Sequence, residues 1–86
     1  MREFCEKVLE FLKSEYNDSY EFKLELAVEK NDYSAQLLVK LNNYYTLRVA
    51  DYWMRQLFLT YRTGEFIEER NQYMWQKELV DIIEGS

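Results

Sequence analysis

Tyr20, Phe22, Leu24, Leu26 and Val28 alternate with Glu21, Lys23, Glu25, Ala27 and Glu29. A period of two predicts a strand with one buried and one wet face, because successive side chains of an extended chain point to opposite sides. Lys30-Asn31-Asp32 reads as a turn. Tyr33, Ala35, Leu37, Val39 and Leu41 then line one side of a second strand. Asn42-Asn43 marks a further turn, and Tyr45, Leu47 and Val49 give a third strand its apolar side.

These patterns also predict register. Pairing Val28 with Tyr33 pairs Leu26 with Ala35, Leu24 with Leu37 and Phe22 with Val39, so every apolar residue lands on one face. Glu21 then sits opposite Lys40 on the wet face. A two-residue turn at Asn42-Asn43 would pair Val39 with Thr46 and send Leu47 and Val49 to the wrong side. A three-residue loop, Asn42-Asn43-Tyr44, pairs Leu41 with Tyr45, Val39 with Leu47 and Leu37 with Val49. An odd-length loop is therefore expected, with one asparagine in the left-handed region.

Helical spacing flanks the strands. Phe4, Cys5, Val8, Leu9, Phe11, Leu12 and Tyr16 make one broad apolar face over residues 3–16, which predicts a first helix ending in an Asn17-Asp18-Ser19 turn. Asp51 is the expected N-cap of a second helix over 52–63, with Trp53, Met54, Leu57, Phe58 and Tyr61 as its core stripe. Gly64 fits the left-handed position past its end. A last helix is expected over 65–84, with apolar residues from Phe66 and Ile67 through Ile83, before Gly85-Ser86 ends the chain. The fold class is α+β: a three-stranded antiparallel meander with helices on one face, in the order α-β-β-β-α-α. Residues 1–86 form one domain.

Composition narrows the function classes. The chain has 86 residues, 48% hydrophobic and 17% aromatic, enough apolar area to offset chain entropy. The net charge is −5 and the eleven basic residues form no run, which argues against direct nucleic-acid binding. No stretch approaches the ~20 apolar residues of a membrane span. Cys5 is the only cysteine, so no internal disulfide forms and a reducing, cytoplasmic location is expected. Cys5 lies on the apolar side of its helix, the place of a buried structural thiol.

There is no histidine, which removes the commonest general base, metal ligand and triad member. The two glycines are isolated at 64 and 85, so no phosphate loop is present. One cysteine and no histidine leave no zinc site. Acidic residues are plentiful enough to leave a carboxylate-only magnesium or glycosidase site open, but nothing in their spacing recommends one. The expectation is a non-enzymatic chain with no catalytic residue, cofactor or metal.

Two features point to binding. Glu65, Glu68 and Glu69 cluster just after Gly64, with Glu78, Asp81 and Glu84 further on. These groups suit a helix N-terminus and a solvated face respectively, or a carboxylate surface for a partner rich in arginine and lysine. Aromatic residues are also in surplus: Tyr44 at a hairpin tip and some of Tyr52, Tyr73 and Trp75 exceed what one small core holds. Such residues anchor protein interfaces. The wide apolar surface of the last helix also admits a homodimer.

The element order α-β-β-β-α is shared with double-stranded-RNA-binding domains, but those begin their second helix with a basic cluster. Here that helix begins Asp51-Tyr52-Trp53-Met54-Arg55, which excludes that family. Element order, size, acidity, the asparagine-rich hairpin at Asn42-Asn43 and the acidic residues after Gly64 together resemble small type II anti-CRISPR proteins of phage. That resemblance implies an inhibitor that offers carboxylates to a DNA-binding effector nuclease in place of DNA, with Glu65, Glu68 and Glu69 as contacts. The expected function is thus a protein-binding inhibitor or adaptor that uses Glu65, Glu68, Glu69, Tyr44 and Tyr73 on a basic partner surface. The alternative is a self-associating structural protein.

Overall fold

Half-wet strands and one-faced helices leave one economical packing: the helices lie on the oily side of the sheet. The structure is a computed structural model that describes residues 1–30 and 32–85, with the backbone only at Glu29. The elements are α1 (Arg2–Tyr16), β1 (Glu21–Glu29), β2 (Asp32–Lys40), β3 (Thr46–Val49), α2 (Asp51–Thr63), β4 (Phe66–Ile67), a 3-10 turn (Glu68–Arg70), β5 (Gln72–Tyr73) and α3 (Met74–Glu84). The α+β class and the order of the six main elements are those expected from the alternating and helical patterns. In the expected turn at 30–32, Asp32 instead belongs to β2 and Asn31 lies outside the described residues, as does Ser86.

The sheet has the order β1-β2-β3 and is antiparallel throughout. Val28 faces Tyr33, Leu26 faces Ala35, Leu24 faces Leu37 and Phe22 faces Val39. Glu21 faces Lys40, and their charged ends lie 3.9 Å apart. Val39 faces Leu47 and Leu37 faces Val49, so the second connection has the odd length that the apolar pattern demands. Its Leu41 N–H donates to the Tyr45 carbonyl at 3.1 Å. No asparagine there takes positive φ, contrary to expectation. The Asn42 side chain tightens the loop instead, its Oδ1 accepting from the Tyr44 N–H at 2.8 Å, a local mimic of a backbone turn.

Helix α1 supplies Phe4, Cys5, Val8 and Leu12 to the core; β2 and β3 supply Ala35, Leu37, Val39 and Val49. Met54 and Leu57 of α2 and Trp75, Leu79 and Ile83 of α3 complete it. Phe4 sits among aromatic rings from two other helices: Tyr61 at 5.0 Å, Trp75 at 5.4 Å and Phe58 at 5.6 Å between centroids. No helix among the described residues is long and apolar enough to cross a membrane.

Three further expectations need correction. Trp53, assigned to the core stripe, is 53% exposed, because α2 packs along the line of Met54 and Leu57 and turns residue 53 outward. Asp51 is the first helical residue rather than the cap; Ala50 occupies the N-cap position without a side-chain bond. In the register that faces Leu37 with Val49, the position opposite Ala35 is residue 51. The Asp51 Oδ1 there accepts from the Ala35 N–H at 2.8 Å, so the side chain extends the sheet ladder where the backbone has already turned into a helix. Finally, the last helix begins at Met74, not at residue 65. Gly64 ends α2 in the left-handed conformation at φ 69°, and a second, two-stranded sheet of β4 and β5 intervenes.

Candidate functional site

The short hairpin between α2 and α3 holds four of the five residues expected to bind a partner. Its turn is a 3-10 segment closed by Asn71 in the left-handed conformation, φ 51° and ψ 48°, whose N–H donates to the Glu68 carbonyl at 3.2 Å. Asparagine tolerates that conformation better than other residues with a Cβ. At the base, the Met74 N–H donates to the Glu65 carbonyl at 2.9 Å. The Gln76 Oε1 accepts from the Tyr73 N–H at 2.9 Å, half of a capping box that starts α3.

Phe66 and Tyr73 face each other across the two strands. Their rings meet edge to face at 5.0 Å, and each residue is 45% exposed. Glu65, Glu68 and Glu69 of the same segment are exposed, and none forms an ion pair or side-chain hydrogen bond among the described residues. They do not sit at the N-terminus of an α-helix: Glu68 and Glu69 open only a three-residue 3-10 turn, so the macrodipole of α3 does not account for them. Arg70 at the turn is the basic residue of the segment.

Tyr44 lies elsewhere, on the β2–β3 connection, 98% exposed. It does not share the short hairpin with the other four. Phe66 was assigned to a helix face and is the residue that sequence reasoning missed. Its signal is Asn71, a residue suited to the left-handed region, lying between two short apolar runs, Phe66-Ile67 and Tyr73-Met74-Trp75. Of the surplus aromatics, Trp75 is buried and Tyr52 is exposed, its ring 5.3 Å from that of the exposed Trp53.

A groove of about 720 Å³ adjoins the hairpin, lined by Lys7, Glu10, Phe11, Ser14, Tyr61, Arg62, Tyr73, Trp75 and Gln76. Tyr73 therefore belongs both to the hairpin and to an aromatic recess. A second groove of about 390 Å³ runs between α2 and α3 beside Tyr52, Trp53 and Asp81.

The titratable groups with displaced affinities serve the fold. Arg55 Nε donates to Asp51 Oδ2 at 2.6 Å, and its Nη2 lies 3.2 Å from Asp32. The Arg55 bond, then the Ala35 N–H, hold the Asp51 carboxyl below its usual range. Burial pushes the Cys5 thiol up, away from the reactive thiolate. Burial, then the Glu84 and Glu15 charges, push Tyr16 up to about 12, and its hydroxyl has no hydrogen-bond partner among the described residues. Among the described residues no group of three or more Cys, Asp and Glu is placed to hold a metal ion.

Comparison of the chain with protein-family models, with curated proteins and with solved structures found no match.

Proposed function

We propose that the chain is a protein-binding module, an inhibitor or adaptor that docks the β4–β5 hairpin onto a basic partner surface. The observation that carries this is the exposed Phe66–Tyr73 pair on a segment that also bears three exposed carboxylates without side-chain partners among the described residues. Exposed aromatic rings on a short, bonded hairpin are anchors that lose little entropy on docking. Carboxylates on the same segment steer toward arginine and lysine and reject acidic surfaces. The sharpest form is an anti-CRISPR-like inhibitor, in which Glu65, Glu68 and Glu69 occupy the basic side chains with which a nuclease holds nucleic-acid phosphates. It carries a cytoplasmic location, in keeping with the single unpaired thiol.

Affinity capture from the native host, with partners identified by mass spectrometry, tests the proposal. The intact chain is expected to retain a partner that both the triple variant Glu65→Lys, Glu68→Lys, Glu69→Lys and the single variant Phe66→Ala lose. Added DNA is expected to compete if the partner is a nuclease. The proposal fails if both folded variants retain the same partner as the parent.

A further inference from the structure

Strand β1 is an edge of the three-stranded sheet: β2 pairs with one side of it, and no described strand pairs with the other. It runs nine residues without a break in register and without proline. The Ala35 N–H points away from β1, to Asp51. Backbone groups alternate in direction along an antiparallel pair. Leu26, opposite Ala35, therefore turns its own N–H and C=O outward, and Phe22, Leu24 and Val28 do the same. This row of donors and acceptors, unpaired among the described residues, is a template for another strand. The apolar side of β1 is also less covered than that of β2. Phe22, Leu24 and Leu26 are half-buried and Val28 is 55% exposed, whereas Ala35, Leu37 and Val39 are buried.

We propose that this edge docks a second copy of the chain, the two β1 strands pairing antiparallel about a two-fold axis at Leu24 to make one six-stranded sheet. Charge, strand overlap and apolar matching together select the axis. A two-fold axis that keeps both apolar faces on the same side must place a residue opposite itself. An axis at Lys23 or Glu25 sets like charges against each other. An axis at Phe22 sets Lys23 opposite Glu21 but overlaps the two strands only over residues 21–23, and an axis at Leu26 sets Lys23 opposite Glu29 but leaves Glu25 facing Ala27 and Phe22 facing Lys30. The axis at Leu24 sets Lys23 opposite Glu25 twice, on the wet face where both are exposed, and Phe22 opposite Leu26 twice on the apolar face. Opposite charges directly across a strand pair stabilise it, and like charges destabilise it. The β4–β5 hairpin belongs to a different sheet and contributes no strand to this edge.

Sedimentation of the purified chain tests this. At millimolar concentration the parent is expected to sediment at twice its 10.6 kDa. Lys23→Glu alone and Glu25→Lys alone each place like charges opposite one another twice, and each is expected to remain at 10.6 kDa. An equal mixture of the two variants is expected to restore the dimer, because one copy then offers carboxylates at both positions and the other ammonium groups. The double variant Lys23→Glu, Glu25→Lys is expected to dimerise like the parent. A monomeric parent, a dimer indifferent to Lys23→Glu, or a mixture that stays monomeric overturns the proposal. The mixture carries its own control, since recovered association requires both variants to be folded.

Discussion

Asp51 shows how one side chain serves two elements. Its carboxylate accepts from the Ala35 N–H in the sheet and from Arg55 one helical turn ahead. Ala35 is buried, so Asp51→Ala strands a backbone donor, and the expected cost is about 1–3 kcal/mol in chemical denaturation. Because the folded carboxyl is held below its ordinary value of 3.8, its contribution is full above that pH. It is lost as pH falls through the folded value, since the unfolded chain takes up the proton first. Tyr16 carries the opposite sign. Its pKa rises from 10.0 to about 12 in the folded chain. Stability is therefore full below pH 10 and lost between there and 12, where only the unfolded state ionises. Tyr16→Phe removes a buried hydroxyl that has no partner among the described residues. It is expected to leave the melting temperature at pH 7 unchanged or higher and to abolish the Tyr16 part of the alkaline loss.

The elements that were legible are those whose period survives over many residues. The nine-residue strands β1 and β2 alternate without exception on their apolar side, and a one-residue slip would have exposed all of it. The segment from 65 to 73 was illegible for the opposite reason. Two apolar residues at each end of Phe66–Met74 suit a helix turn and a two-residue strand equally well, and only Asn71 separates them. A left-handed Asn71 ends any helix, and it reverses the chain here. Asn71→Gly is expected to be nearly neutral, and Asn71→Val to cost about 1–2 kcal/mol at that residue. Faster hydrogen exchange at the Met74 amide, which closes the base of the turn, would report the loss. The carboxylates of the candidate surface could thus be named from composition, but Phe66 could not, because its exposure follows from the turn rather than from the spacing.

At the scale of the molecule, three helices are joined through a single ring. Phe4 of α1 touches Phe58 and Tyr61 of α2 and Trp75 of α3 and is fully buried. Phe4→Ala is expected to cost about 3–5 kcal/mol. A domain of this size has little stability in reserve, so equilibrium urea unfolding of that variant should begin near zero denaturant, while Phe4→Leu should lose far less. The two-strand insertion between α2 and α3 has a different bearing on the whole. Its entry and exit, Glu65 and Met74, are already joined by a backbone hydrogen bond of 2.9 Å, and its residues 65–73 add nothing to the buried core. Natural variation can therefore rewrite or lengthen this segment without disturbing the scaffold. Related chains should diverge fastest there, and an unrelated recognition loop grafted between the two junction residues should leave the rest of the chain folded.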